Sequence, residues 1–193
     1  CVVCTGDVTN LEFRMIILIF FCTEVLEHIP TNLLDKACSE LSRVSKKYLL
    51  IGLPYRQDVR VGPTTCYYCG EKNPPWGHVN SFDEKRFMYL FPMLNASQTS
   101  FVGEAGASTN FISSWLMDLA GNPYGTYTQE EPCISCGKNL IQPPERTVFK
   151  RVLTKASFYV KNIQKPFSRG HPNWIHILFE KNDMSAMQWL AAA

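Results

Sequence analysis

The sequence has no hydrophobic run long enough to cross a bilayer and little excess of either charge. Its longest apolar run, residues 15–22, falls far short of the ~20 residues that a membrane-spanning helix needs. Lysine and arginine total 19 against 17 acidic residues, so the net charge of +2 gives no strong overall attraction to nucleic acid or to an anionic membrane. No Gly-x-Gly run occurs, so the phosphate-binding turn of dinucleotide folds is absent. We expect a cytoplasmic protein without a membrane partner.

The content of apolar side chains is sufficient for a folded core. Hydrophobic residues make up 46% of the chain and aromatic residues 12%, which excludes wholesale disorder and collagen-like or low-complexity architectures. A length of 193 residues allows one domain, with or without a large insertion.

The first third of the chain predicts a unit of strand, helix and strand. Residues 16–22 form a continuous apolar run that is typical of a strand buried on both faces of a parallel sheet. An amphipathic helix is predicted from Thr31 to Val44, and residues 48–53 form a second apolar run that Pro54 closes. The predicted fold class is α/β, because a helix of this length connects parallel strands by a crossover.

Shorter sequence patterns predict further helices, strands and loops after residue 54. Ser81 and Glu84 have the spacing of a capping box, which predicts a short helix up to about residue 90. Helical spacing predicts two further helices, at 110–120 and 147–163, and apolar runs predict strands at 101–104 and 174–179. The stretches 55–80 and 121–145 are rich in turn residues and predict loops.

Two of these loops carry the same cysteine motif, Cys66-Tyr67-Tyr68-Cys69-Gly70 and Cys133-Ile134-Ser135-Cys136-Gly137. Two residues between cysteines let both thiolates face one ion, and the following glycine permits the left-handed backbone that turns amides toward sulfur. Two such knuckles predict one shared tetrahedral Cys4 zinc site, formed by Cys66, Cys69, Cys133 and Cys136. Such a site is structural, because a closed four-sulfur shell leaves no position for a substrate.

The cysteine spacing is also compatible with states other than a shared zinc site. The long separation between the two motifs exceeds that of a compact zinc ribbon, so the cysteines would alternatively form disulfides or a redox pair, or stay as buried thiols. His78, shortly after Cys69, would be a fourth zinc ligand in place of a cysteine.

Four short strings, in their order and spacing, resemble a known family. They are Gly6-Asp7-Val8-Thr9-Asn10-Leu11, Cys22-Thr23-Glu24-Val25-Leu26-Glu27-His28-Ile29-Pro30, Tyr48 to Pro54, and Gly77-His78-Val79-Asn80-Ser81-Phe82. Together they resemble the second half of a class I S-adenosylmethionine-dependent methyltransferase, from the end of its third strand to its seventh. The part from Glu24 to Pro30 is the most specific.

The resemblance implies a partial Rossmann-like sheet with helices on both faces. It implies one incomplete methyltransferase domain over residues 1–193, into which the loops 55–80 and 121–145 insert a zinc-ribbon-like element. The family's first strand and glycine-rich loop would precede Cys1. The strand at 16–21 would then have a bare apolar edge, through which we expect the chain to associate with itself.

The resemblance also implies how the chain would hold S-adenosylmethionine. Asp7 would accept a hydrogen bond from the adenine amino group, and Val8 would pack on the adenine ring. Cys22, Thr23 and Glu24 would line the cofactor pocket.

Glu27 and His28 would begin the helix that follows this loop. Methyl transfer from a sulfonium needs no covalent enzyme intermediate and depends mainly on holding donor and acceptor in line in a dry pocket. If the acceptor is a hydroxyl or an acid, the candidates for a base or an orienting group are Glu24, His28 and His78.

The segment from Arg146 to Arg169 carries seven basic residues, no acidic residue and four interleaved aromatics. It either contacts phosphates or forms the solvated side of a helix whose aromatics face the core, and the helical spacing favours the solvated side.

The leading functional hypothesis is a methyltransferase-like protein. Its methyl acceptor is a small molecule or another, unidentified compound. The alternative is a zinc-stabilised interaction module that binds an anionic partner or nucleic acid through residues 146–169.

Overall fold

The computed structural model describes residues 5–13, 17–104, 108–144, 146–167 and 170–181. The chain forms two compact units, of which the first comprises residues 1–56, 80–104 and 172–193. The second comprises residues 57–79 and 105–171. The second unit is thus made of two insertions into the first, and each insertion carries one cysteine motif.

Ten helices and strands are described, besides two short 3-10 turns at Pro75–Gly77 and Lys165–Phe167. In chain order they are β1 (Ile17–Thr23), α1 (Thr31–Val44), β2 (Ser45–Pro54), β3 (Thr64–Thr65), β4 (Lys72–Asn73), α2 (Glu84–Leu90), β5 (Leu94–Val102), α3 (Phe111–Leu119), α4 (Val148–Gln164) and β6 (Trp174–Lys181).

The first unit contains a four-stranded sheet in the order β1-β2-β6-β5. Strands β1 and β2 are parallel and α1 lies between them in the chain, so the predicted strand, helix and strand unit is confirmed. Strand β6 lies between β2 and β5 and is antiparallel to both, which makes the sheet mixed. The predicted α/β class is confirmed.

Strand β1 lies at one edge of this sheet, with β2 as its only neighbour among the described strands. Three of its side chains, Leu18, Ile19 and Phe21, are exposed, so the prediction of burial on both faces is wrong. The reason is that only one face of β1 is covered: Cys22 lies in the core and Phe20 packs against it, whereas Ile19 and Phe21 point to the opposite face. Ile16 lies outside the described residues, and self-association through this edge stays a prediction.

The core of the first unit is built from aromatic and branched side chains of the sheet and of α1 and α2. Phe179 of β6 packs against Phe91, with ring centroids 5.0 Å apart, and Phe82 stacks on Phe87 at 5.4 Å. Along β6, alternate residues are buried, as expected for a strand with one face on the core.

Local interactions set two helix starts. Asp83 caps α2, because its side chain accepts a hydrogen bond from the backbone N–H of Arg86 at 2.9 Å, so the expected cap at Ser81 is wrong. Asn110 caps α3 in the same way, with the N–H of Ser113 at 2.8 Å. None of the described helices is long and apolar enough to span a bilayer.

Candidate metal centre and candidate cofactor loop

The two cysteine motifs adopt the same backbone turn. The N–H of Gly70 donates to the carbonyl of Cys66, and the N–H of Gly137 donates to that of Cys133, each at 2.9 Å. Gly70 and Gly137 have φ values of 76° and 67°, the left-handed region that favours glycine. A Cβ at either glycine would meet nothing within 4 Å, so backbone conformation, rather than space, requires glycine there.

The turns bring four sulfur atoms together. All four Sγ atoms, of Cys66, Cys69, Cys133 and Cys136, lie within 4.8 Å of one another. The shortest described separations cross between the motifs, with Cys66 to Cys136 and Cys69 to Cys133 both at 3.6 Å. A tetrahedral zinc with Zn–S bonds of about 2.3 Å has S···S edges of about 3.8 Å, whereas a disulfide bond is about 2.05 Å long. The spacing therefore fits four ligands of one ion better than two disulfides.

Backbone amides stabilise negative charge on the sulfurs. The amide of Cys136 lowers the pKa of Cys133 to about 6, and the amide of Cys69 lowers the pKa of Cys66. The amide of Glu71 also lowers the pKa of Cys69, but burial and the neighbouring sulfurs outweigh it and raise that pKa to about 12. A cation bound between the sulfurs would offset the unfavourable effect of the neighbouring sulfurs on the Cys69 thiolate.

Asn73 connects the two knuckles. Its buried side chain donates to the carbonyl of Glu71 at 3.1 Å and to the sulfur of Cys133 at 3.6 Å. Its Oδ1 accepts from the N–H of Ile134 at 2.8 Å. One amide on the strand after the first motif thus fixes the backbone and the sulfur of the second motif.

A second candidate site is the loop that follows β1, at the carboxyl end of a parallel strand. Open α/β sheets bind ligands at this edge. Glu24 has a φ of 57°, which is uncommon for a residue other than glycine, and its N–H donates to Gly52 of β2 at 3.0 Å. Residues 25–28 form a turn and α1 begins at Thr31, so the expectation that Glu27 and His28 begin the helix is wrong.

Glu27 is the most unusual group of this loop. Its side chain is fully buried, and neither carboxylate oxygen has a hydrogen-bond partner among the described residues. Burial raises the pKa of Glu27 to about 7, and the negative charge of Glu24 adds to the rise. A buried carboxylate without a partner is a candidate acceptor for a ligand's hydrogen-bond donor.

Asn80 holds this loop in place. Its side-chain amide donates to the carbonyls of Leu26 at 3.1 Å and Ile29 at 2.6 Å. Its Oδ1 accepts from Arg86 at 3.0 Å, and its backbone N–H donates to the carbonyl of Glu27 at 3.2 Å. The backbone on both sides of Glu27 is therefore fixed from a neighbouring segment.

The other residues predicted for cofactor binding also lie in the first unit. Asp7 is exposed, and its Oδ1 accepts from the N–H and the hydroxyl of Thr9, both at 2.8 Å. Val8 packs partly buried against the core, and Thr23 is exposed at the end of β1. Cys22 is a core residue, and burial raises its pKa to about 12. Their roles in binding stay predictions.

Two of the three candidate bases belong to the first unit and one belongs to the second. Glu24 and His28 lie in the loop after β1, where burial raises the pKa of Glu24. His78 belongs to the second unit, and its Nδ1 lies 2.6 Å from Oε1 of Gln57. His78 is not a member of the four-sulfur cluster, so the described residues do not support it as a substitute zinc ligand.

Sequence reasoning missed the roles of Glu27, Asn73 and Asn80. Glu27 and Asn80 are part of the strings that carry the resemblance, and Asn73 lies three residues after the first motif's glycine. Nothing in a single sequence shows that these side chains meet segments distant in the chain.

No family model and no curated protein sequence matches the chain. Among solved structures, it is similar to the [4+2]-cyclase SpnF, with 12% identity and a TM-score of 0.42 over 91% of this chain and 54% of that one. It is also similar to a SAM-dependent methyltransferase from Archaeoglobus fulgidus, with 12% identity and a TM-score of 0.45 over 92% of this chain and 66% of that one. The chain thus spans about half of the first structure and two thirds of the second. Likenesses of this size assign no function.

The link between Asn73 and Cys133 predicts a change in thiol ionisation. Asn73→Asp removes the amide donor and adds a carboxylate beside the sulfur, so we expect the pKa of Cys133 in metal-free protein to rise by roughly one to two units. Iodoacetamide alkylation of Cys133 against pH, read by peptide mass spectrometry, measures the change. Asn95→Asp, at an exposed position of the first unit, should leave the profile unchanged. An unshifted profile in Asn73→Asp would show that the amide does not stabilise the thiolate.

Proposed function

We propose that the first unit is the second half of an S-adenosylmethionine-dependent methyltransferase-like fold and that the second unit is a zinc-stabilised insertion in it. The observation that carries the first part is the buried, unpartnered carboxylate of Glu27. It lies in the most specific string of the resemblance, in a loop at the carboxyl end of β1, beside the parallel strand β2. This is the edge where a cofactor would bind in an open α/β sheet.

The described residues fit the cofactor's chemistry. S-adenosylmethionine supplies an electrophilic methyl group on a positively charged sulfur, together with hydroxyl, amino and ammonium donors. The backbone N–H of Thr9 lowers the pKa of Asp7, so this exposed carboxylate is ionised at neutral pH and available to the adenine amino group. Val8 would offer an apolar contact to the adenine ring, and Glu27 would accept one of the cofactor's or the acceptor's polar hydrogens.

The chain's own residues would supply a group that accepts a proton from the methyl acceptor. With a pKa near 7, Glu27 exchanges a proton at neutral pH, which is the property of a general base for a hydroxyl or acid acceptor. Glu24 and His28 lie on the same loop and are the neighbouring candidates for orienting that acceptor. The acceptor is proposed only as a molecule with such a group.

Calorimetric titration with S-adenosylmethionine tests the first part. We expect millimolar or tighter binding, and we expect Asp7→Ala to weaken it about tenfold or more, because the variant loses a charge-assisted hydrogen bond to the adenine amino group. Asp35→Ala, an exposed aspartate of α1, is the matched control and should bind as the parent does. Absence of binding, or equal losses in the two variants, would contradict the proposed cofactor site.

The second part rests on the sulfur geometry. Four Sγ atoms within 4.8 Å and glycine-terminated turns with amides directed at sulfur are what a structural zinc site requires. A reducing compartment such as the cytoplasm would keep these thiols available to the metal.

Metal analysis tests this second part. Protein purified without added zinc should contain close to one equivalent, and Cys133→Ser should lose it, because three sulfurs no longer close the shell. Cys38→Ala removes a buried thiol of α1 outside the cluster and should retain the metal. One equivalent retained in both Cys133→Ser and Cys136→Ser would contradict the shared site.

An interaction module remains the second candidate function, because of one observation. Helix α3, and helix α4 within the basic segment 146–169, expose apolar side chains. The helical spacing of this segment predicted that its aromatic residues face the core. That expectation is wrong for Phe149, Phe158, Tyr159 and Phe167, all of which are exposed.

A further inference from the structure

Helices α3 and α4 pack together through small polar residues. The hydroxyl of Ser157 donates to the carbonyl of Ser113 at 2.7 Å, and the two hydroxyls lie 3.0 Å apart. Only Thr154 and Ser157 of α4, and Ser113 and Ser114 of α3, are buried. The contact between the helices therefore uses hydroxyl groups, whereas a helix pair in water normally buries its apolar stripe.

The apolar stripes of both helices face outward. On α4 the residues at helical spacing, which the sequence would place against a core, are exposed: Val148, Val152, Tyr159 and Ile163. On α3 the exposed apolar residues are Phe111, Ile112, Trp115 and Leu119. We call these eight residues the outer face. Large apolar side chains that no described element covers are available to a partner.

The two stripes meet in an open groove of about 430 Å³ between the start of α3 and the end of α4. Phe111 and Ile112 line it from α3, and Ile163 and Phe167 line it from α4 and the turn that follows. The outer face is therefore one continuous apolar surface at this end, and a surface of this kind marks an interaction site.

The charges beside the outer face have one sign. On α4, Arg151 and Lys155 lie beside the outer face, whereas Lys150 and Lys161 lie on the side of the helix that carries Ser157. No acidic residue occurs from 146 to 169. The only acidic residue of α3, Asp118, forms an ion pair with Lys72 at 2.8 Å. The occupant of this surface must accept apolar side chains and carry negative charge.

Of the available occupants, an anionic phospholipid surface meets both requirements. A nucleic acid would satisfy the cations but would leave the aliphatic side chains of Val148, Val152 and Ile163 without partners. A second copy docked on the same face would bring an identical set of cations close to the first. Lysine and arginine beside a stripe of aromatic and aliphatic residues are typical of helices that lie in the membrane interface.

We propose that the outer face of α3 and α4 docks on an anionic phospholipid bilayer, with the apolar stripes in contact with the acyl chains and with Arg151 and Lys155 at the headgroups. This reverses the sequence-based expectation that the protein has no membrane partner. The inference does not depend on methyltransferase activity.

Vesicle binding by the complete, zinc-loaded chain tests the proposal. We expect co-sedimentation with vesicles of phosphatidylcholine containing about one third phosphatidylserine, weaker binding to phosphatidylcholine alone, and loss of affinity as salt is raised. Tyr159→Glu places a charge on the outer face and should lower the affinity at least tenfold. Tyr89→Glu is the matched control, because Tyr89 is 74% exposed and Tyr159 is 69% exposed; it should change the affinity less than twofold.

Four results would overturn the proposal. The first is no binding to either vesicle, and the second is an equal effect of the two tyrosine variants. The third is binding of single-stranded RNA without binding of vesicles. The fourth is a dimer that Tyr159→Glu dissociates, in protein that does not bind vesicles. Since both tyrosines are exposed, loss of folding does not explain a difference between the variants, and circular dichroism of each variant verifies this.

Discussion

Four sulfur atoms from two distant loops lie within 4.8 Å of one another, and the organisation of the second unit depends on what holds them there. Buried apolar contacts around them are few: the described hydrophobic cluster consists of Cys66, Cys133 and Leu140, with Tyr127 packed against it. Hydrogen bonds also join the two insertions, such as that from the N–H of Thr109 to Asp58 at 2.8 Å. A structural zinc contributes on the order of 10 kcal/mol, which is comparable with the stability of a whole domain. It would supply stability that so small an apolar cluster does not.

The local chemistry of this centre could be predicted from the sequence, but its surroundings could not. The spacing of cysteines and glycines is set within each turn, so the motif alone predicts the turn and the direction of its sulfurs. Asn73 shows the limit, because its side chain reaches the second motif across a long stretch of chain. The same holds for Asn80, which fixes the loop around Glu27 from another segment.

Burial was harder to predict than secondary structure. The apolar run of β1 and the helical spacing of α4 predicted the elements correctly, but both predictions of what they bury were wrong. Periodicity shows which residues share a face, whereas the neighbouring elements decide whether that face is covered. Strand β5 was predicted only at its end, because the mostly polar residues from Leu94 onward give no strand signal and are held by pairing with β6.

Hydrogen exchange with and without zinc tests most directly whether the metal centre organises the second unit. In zinc-loaded protein, amides of residues 64–73 and 133–140 should be protected, and chelation should speed their exchange at least a hundredfold while β2 and β6 keep their protection. Such a difference corresponds to about 2.7 kcal/mol of local stability, well within what a structural zinc supplies. Equal exchange in these loops before and after metal removal would contradict the account.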